Sequence, residues 1–351
     1  MNTKISVIMP VYNCIEYLEA AVASVFAAGE DDIELIAVDD RSTDGSRELL
    51  ASLAEREPRI KAVFNEKNSG VAAVRNIALG IATGDYLAFC DSDDTVPKDS
   101  YKKMLAEIGE HDVLVGGFSD LTDSGTERKA LLHHSERVTV FRALMSVSCL
   151  WTKLIKRSLI ANVGLSFDED MKIGEDVVFL ARLSTLSPTY TVLDEVIYNH
   201  IHHERAATAS LTHIYTSEAF ENHLECRRRM IAICEAGGVD ECRSYVYENF
   251  SGYLDRFIGF ISDPDERESA FAAFREYMTV YDWESRGALF RALFGVDYSS
   301  FKSVNADGYL QMKYDVLPRD TVADEFLTGR IGFKWIIRFF KNWLKYKLNG
   351  R

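Results

Sequence analysis

Residues 68–94 read NSGVAAVRNIALGIATGDYLAFCDSDD, and the reading of this stretch decides the fold. Val71–Ala82 is mostly apolar over three turns and predicts a helix buried on much of its surface. Gly84 suits the left-handed position after the last turn of such a helix. Asp85–Cys90 has the length and composition of a buried strand, and it runs straight into Asp91-Ser92-Asp93-Asp94. A helix, a short turn and a buried strand ending on acids make one unit of an α/β sheet.

The same rhythm extends in both directions. Upstream, Ile5–Pro10, Glu34–Val38 and Ile60–Phe64 are short apolar runs, alternating with helical stretches at Tyr17–Ala28 and Ser46–Arg56, the latter with Asp44 as its expected cap. Downstream, a helix over Asp99–Ile108 leads to a strand at Asp112–Phe118. The expected fold class is α/β, a mostly parallel sheet flanked by helices on both faces. Open sheets of this kind bind ligands at the carboxyl ends of their strands. Three polar clusters fall there: Tyr12-Asn13, Asp39-Asp40, and the Asp91–Asp94 tetrad.

From about residue 213 the pattern becomes helical, with stretches at Ser217–Glu235, Glu241–Ile261 and from Asp263-Pro264 to Met278, where the Asp-Pro pair is a cap followed by a first-turn proline. The expected domains are therefore 1–212 (the α/β sheet), 213–330 (a smaller, mainly helical region) and 331–351 (a basic tail).

The chain has 351 residues, 47% hydrophobic and 27% charged, enough for a substantial core without disulfides. Its net charge of −14 excludes wholesale nucleic-acid binding, which needs a basic face. Six cysteines form no CxxC pair, and this spacing points away from a zinc site. There is no run of 18 uncharged apolar residues and no signal-peptide pattern, so the cytoplasm is the expected address.

Three carboxylates within four residues repel one another. At an effective dielectric of 20, two unit charges 4 Å apart cost about 4 kcal/mol, which a hard divalent cation, Mn²⁺ or Mg²⁺, would relieve. The plainer reading is a polar turn that caps the next helix. Asp40 can read a nucleobase or ribose, or be spent on its own DDRSTDG turn. The Tyr12 ring offers a stacking surface or simple packing. Arg75, on an apolar helix, needs an anionic partner, either an Asp cluster or a phosphate. Glu175-Asp176 opens a helix, where acids suit the dipole; one of them could also be a general base. His200, His202 and His203, with Arg205, form a basic cluster open to a diphosphate, a metal or plain solvent.

As an ordered set, SVIMPVYN, ELIAVDDRSTDGS, the 68–94 stretch, LWTKLIKRSLI, FDEDMKIGEDVVFLARL and IYNHIHH resemble the family 2 glycosyltransferases with the GT-A fold, over residues 5 to about 205. The resemblance implies an inverting enzyme that moves a hexose or N-acetylhexosamine from a UDP-sugar to an acceptor hydroxyl. It places Pro10, Tyr12 and Asp40 around the base, and Asn68, Arg75 and Asp91 on the nucleotide. Asp93 and Asp91 would bind Mn²⁺ or Mg²⁺, with Asp94 as an extra acid there. Asp176, with Glu175 beside it, would be the catalytic base. Trp151 and Lys153 would fall on the sugar or acceptor side. His200 and His202 stand where many relatives carry arginines, which puts their diphosphate contact in question. The implied acceptor is a saccharide, polyol-phosphate or lipid-linked molecule, in the synthesis of a cell-surface polysaccharide or teichoic-acid-like polymer.

Residues 331–351 carry six Lys or Arg and no Asp or Glu. At about 100° per residue, Lys334, Arg338, Lys341 and Lys345 share one sector, opposite Trp335, Ile336, Phe339, Phe340 and Trp343. Such a helix suits an anionic membrane surface, here the inner face of the cell membrane; packing on its own domain or a homo-oligomer contact is the alternative. Two rival functions are weighed. A nucleotidyltransferase would usually show a Gly-rich basic loop after the first strand, and PVYNCIEYLEA has no glycine, Lys or Arg. An inactive sugar-nucleotide-binding or scaffold protein would have no need of both DSDD and GED.

Overall fold

The computed structural model describes residues 5–29, 33–122, 128–130, 139–203, 215–243, 245–246, 257–279, 283–284 and 287–312. The tail at 331–351 lies outside the described residues, as does much of the expected helix 241–261. The chain divides into two compact units, Met1–Thr208 with Ala232–Val239, and Ala209–Ile231 with Asp240–Arg351.

The first unit runs β1 (Ile5–Val11), α1 (Leu18–Ala28), β2 (Ile33–Asp39), α2 (Ser46–Arg56), β3 (Ile60–Phe64), α3 (Val71–Ile81), β4 (Tyr86–Phe89), α4 (Ser100–Ile108), β5 (Val113–Thr122), β6 (Arg128–Ala130), α5 (Val140–Ser146), a 3₁₀ turn (Leu150–Thr152), β7 (Lys153–Lys156), α6 (Arg157–Ala161), α7 (Glu175–Thr185) and β8 (Tyr190–His202). The sheet order is β3-β2-β1-β4-β7-β5-β6, with β8 on the other edge of β5. The pairs among β1, β2, β3 and β4, and the pair β5–β8, are parallel. β7 runs against both of its neighbours, β4 and β5.

Burial explains why the inner strands read as unbroken apolar runs. Every residue of β2 is buried, as expected for a strand covered on both faces. On one face Ile5, Val7, Met9 and Val11 join a core with Leu18, Val22 and Val25 of α1 and Leu50 and Leu53 of α2. Helix α3 packs on β1 and β2. Alternation along β1 thus divides its side chains between two cores.

Two local expectations are corrected. Gly84 is not in the left-handed region; Ala82, in extended conformation, ends α3. The Gly84 amide instead donates to Ser6 Oγ (2.8 Å) and Glu34 Oε1 (3.1 Å), which pins the α3–β4 turn to β1 and β2. Asp44 does not cap α2 from the N-cap position, which Gly45 holds with φ 99°. Its carboxylate receives the Ser46 and Ile15 amides, each at 3.0 Å, and so ties the β1–α1 loop to the start of α2.

The β5–β8 ladder is irregular where Gly116 and Gly117 pass Leu193 and Val196. A Cβ on Gly116 would lie 2.6 Å from Ile197, so glycine allows the two strands to pack here. Beyond the irregularity Phe118, Asp120 and Thr122 pair with Tyr198, His200 and His202.

In the second unit, helices Pro264–Thr279, Gly287–Phe294, Tyr298–Ser303 and Ala306–Gln311 enclose an aromatic core of Phe271, Phe274, Phe290, Phe294, Phe301 and Tyr309. Asp263 caps the first of these helices through the Asp265 (3.0 Å) and Glu266 (2.9 Å) amides. No helix among the described residues is long and apolar enough to cross a membrane.

Candidate active site

Three strands deliver their carboxyl ends to one rim. Val11 pairs with Asp39, and Ile8 pairs with Phe89, so Tyr12-Asn13, Asp40 and Asp91 emerge side by side. Tyr12 is half exposed, Pro10 is half-buried, and Asn68 is exposed. These three line the open side of the rim.

Asp40 is placed differently from the sequence expectation. It is 4% exposed, and its oxygens accept from Asn65 Nδ2 (3.0 Å) and from the Ser69 (2.8 Å) and Gly70 (2.8 Å) amides at the start of α3. A carboxylate with that many donors is satisfied and has little left for a base edge. It works as a clamp on the α3 N-terminus, where a negative charge is favoured.

The acidic tetrad forms a tight turn, closed by the Asp94 amide on the Asp91 carbonyl (3.2 Å). Asp91 is half-buried and Asp93 exposed, whereas Asp94 is 2% exposed. Asp94 is the second correction. Its two oxygens accept from the Tyr198 hydroxyl (2.8 Å) and the Ile201 amide (2.7 Å), so it fastens β8 to the turn and does not face a ligand. Burial, then the charges of Asp91 and Asp93, push its carboxyl upward. The Tyr198 hydroxyl in turn accepts from the Asp91 amide (3.0 Å). Crowding around its carboxyl, then the Asp91 charge, raises Asp93 as well.

Asp91 and Asp93 remain the acids that fit a cation. They are oxygen-only donors, and neither carboxylate is tied to β8 as that of Asp94 is; Asp91 offers one oxygen to Arg75 at 3.4 Å. That donor set suits Mg²⁺ or Mn²⁺.

Arg75 is 7% exposed and lies between Glu175 Oε1 (2.6 Å) and Asp91 Oδ1 (3.4 Å), with its guanidinium 5.6 Å from the centre of the Phe167 ring. Burial works against its charge, but Asp91, Glu175 and Asp176 outweigh that and raise it. Of the two readings of Arg75, the ion pair is the one the structure displays. Glu175, buried and committed to Arg75, is a positioning group. Asp176 has no ion pair among the described residues; it accepts from the Val177 amide (2.8 Å). Burial, then the neighbouring Glu175 charge, pushes its carboxyl up to about 7, with Arg75 pulling the other way. A carboxyl in that range can take and return a proton near neutral pH.

Lys153 is the third correction. It is fully buried, and its ammonium donates to the carbonyls of Val147 and Cys149 (2.7 Å) and to Thr152 Oγ1 (3.0 Å). Three acceptors use all three protons, so the side chain is an internal strut and not a sugar contact. Burial lowers it to about 8. Trp151, on the turn before β7, stacks on Tyr198 (4.4 Å, 13°) and lies near-parallel to His200 (5.8 Å, 14°). It stands beside the acidic turn.

His200 and His202 turn to Asp120, at 2.9 and 3.1 Å, while His203 reaches the Asp93 carbonyl (2.8 Å) and stacks on Tyr17 (3.7 Å). Asp120, Tyr198 and Tyr17 are site neighbours that the sequence reading did not single out. The alternation of Tyr198, His200 and His202 was the available signal, since residues two apart on a strand share a face.

The family model described as glycosyl transferase family 2 matches residues 6–162. TuaG of Bacillus subtilis (strain 168), named for teichuronic acid biosynthesis, is 40% identical over 157 residues, which cover 44% of this chain and 62% of TuaG. EpsJ of the same organism, an uncharacterized glycosyltransferase, is 27% identical over 233 residues, 63% of this chain and 66% of EpsJ. The chain thus matches less than two thirds of the length of either relative. Among solved structures, residues 1–349 of S. aureus TarS in complex with UDP superimpose with a TM-score of 0.69 at 22% identity, over 93% of this chain and 92% of that one. At that identity the likeness concerns the fold, a GT-A sheet followed by a helical region.

Proposed function

We propose that the chain is a member of glycosyl transferase family 2, the family whose model matches residues 6–162, and that it transfers a hexose or N-acetylhexosamine from a UDP-sugar to an acceptor hydroxyl, with inversion, during synthesis of a cell-envelope polysaccharide or teichoic-acid-like polymer. One observation carries the reading: a carboxyl held near 7, Asp176, lies within electrostatic reach of Asp91, the first acid of the rim turn. In this reading Asp176 is the proton acceptor beside the acidic turn that would hold the cation. The match to TuaG supports the class of polymer, and the fold shared with TarS makes UDP the first nucleotide to test.

In this reading the acceptor oxygen attacks the anomeric carbon as the bond to the departing phosphate oxygen breaks. Asp176 takes the hydroxyl proton. Pro10, Tyr12 and Asn68 border the space for the base. Arg75 and Glu175 hold Asp91 in position through the ion pair, and Trp151 walls the sugar or acceptor side. Asp91 and Asp93 would hold Mg²⁺ or Mn²⁺, which when bound supplies Lewis-acid neutralisation of the diphosphate.

Asp93→Ala is expected to weaken UDP binding in Mn²⁺ by about 100-fold, with turnover falling in step, the scale on which lost charge stabilisation acts. Melting of the nucleotide-free protein should not fall, because burial and the Asp91 charge already penalise the ionised Asp93 in the folded state. Calorimetric titration of UDP into wild type and variant, with and without Mn²⁺, checks this. Equal Mn²⁺-dependent affinity in the two proteins would remove the cation from the donor site.

The tail at 331–351 is proposed to rest on an anionic membrane surface, on the strength of its basic-aromatic pattern. Cutting the chain after Gly329 should abolish co-sedimentation with phosphatidylglycerol vesicles at low salt. Unchanged co-sedimentation would refute the proposal.

A further inference from the structure

Two adjacent strands bring Asp120, His200 and His202 to one point. Asp120 of β5 is the direct register partner of His200 of β8, and His202 follows two residues on, so all three share a face of the sheet. His200 Nδ1 and His202 Nε2 both approach the same oxygen, Oδ1 of Asp120, at 2.9 and 3.1 Å. The three candidate ligand atoms lie within 4.8 Å of one another. The two rings meet edge to face with centroids 4.5 Å apart. Side-chain exposures of 38%, 42% and 19% leave an entry path from solvent.

We infer that Asp120, His200 and His202 form a second cation site, separate from the acidic turn, that takes a borderline divalent ion of the Zn²⁺ class. The ligand chemistry makes the choice. Two imidazoles and one carboxylate suit Zn²⁺, Co²⁺ or Ni²⁺, whereas Mg²⁺ and Mn²⁺ prefer the all-oxygen set at Asp91 and Asp93. The geometry is close to what such an ion needs. Ligands about 2.1 Å from a tetrahedral centre stand about 3.4 Å apart, so each Asp–His separation has to open by only about 0.3–0.5 Å. The scaffold is fixed as well. Tyr198, on the same strand, is anchored to Asp91 and Asp94, and Trp151 lies against both Tyr198 and His200. Fixed ring orientation of this kind is what supporting contacts provide at a metal site.

The site would have an electrostatic consequence for the rim. His200 already interacts with the Asp93 charge. A divalent ion bound between the two imidazoles would set positive charge next to the acidic turn without using its carboxylates. The inference does not rest on the transferase reading, because it concerns binding of an ion in the absence of nucleotide.

The test uses the full, tag-free chain, stripped with chelator and titrated without nucleotide. Zn²⁺ uptake is read by equilibrium dialysis, and Co²⁺ serves as the spectroscopic probe. Wild type is expected to bind one tight equivalent of Zn²⁺ and to develop the visible bands of imidazole-ligated Co²⁺. Asp120→Asn and His202→Ala should each weaken uptake by at least about 100-fold, the upper end of what loss of a mere supporting contact costs. Asp93→Ala should keep the tight equivalent. Metal-free melting of Asp120→Asn, which preserves side-chain shape, confirms that the comparison is between folded proteins. Absence of a tight equivalent in wild type overturns the inference. So does uptake unchanged in the Asp120→Asn/His202→Ala double variant, or uptake abolished by Asp93→Ala alone.

Discussion

Asp176→Asn is expected to cut the rate of sugar transfer by about 100- to 10,000-fold while leaving UDP affinity unchanged, the range attributed to a positioned general base. The amide keeps the shape of the side chain and the bond from the Val177 amide but cannot accept the acceptor's proton. Asp176 is raised to about 7, first by burial and then by Glu175, so its basic form grows in as pH passes through 7. The wild-type rate should climb through that interval and level off above it, and the residual rate of the variant should lack that limb. Stability has the opposite sign. An unfolded Asp ionises near about 3.9, so between about 4 and 7 the native state holds the proton that the unfolded chain has lost. The stability contributed by this proton is full below about 4 and is lost as pH rises to 7. Melts at pH 5 and pH 8 should show the variant losing less stability across the interval than wild type. A variant with undiminished turnover, or one whose pH–rate limb persists, would remove Asp176 from the role of base.

Arg75→Met carries the largest expected effect on stability, a loss of about 3–5 kcal/mol, because it leaves Glu175 and Asp91 facing one another around a buried space with no counter-charge. For a domain of this size that is a fall in Tm of roughly 10 °C. A double variant, Arg75→Met with Glu175→Met, should recover part of the loss, since an apolar pair can replace a buried ion pair at little cost. Denaturant unfolding of the wild type, the two single variants and the double variant completes the cycle. A loss under about 1 kcal/mol in Arg75→Met would mean that the ion pair is solvated and holds nothing in place.

The sheet was legible because its evidence is local. The first four strands are short, mostly apolar runs, and β1, β2 and β4 lie within two residues of their expected bounds, whereas β6, β7 and β8 carry charged or polar residues and were not anticipated. The acids at the rim were legible for the same reason. What individual carboxylates do was not, because their partners come from far along the chain. Asp40 is satisfied by the α3 N-terminus about thirty residues on, and Asp94 by Tyr198 and Ile201 more than a hundred residues on. Lys153 misled in another way: a cation near the rim suggests a ligand contact, but the carbonyls of the preceding turn had already claimed it. The alternation along β8 pointed to the shared face of its histidines but not to Asp120, whose meeting with them depends on the register of β5 against β8, which shifts at Gly116–Gly117.

Strand β7 runs against the direction of β1, β2 and β4. Because β7 is antiparallel to β4, with Tyr86 opposite Lys156 and Leu87 opposite Ile155, the chain enters the sheet at the same margin where β1, β2 and β4 leave it. The turn that precedes β7 therefore brings Trp151 to that margin, where it stacks on Tyr198. In the proposed reading, this reversed strand sets the wall of the acceptor side and the acidic rim on a common margin.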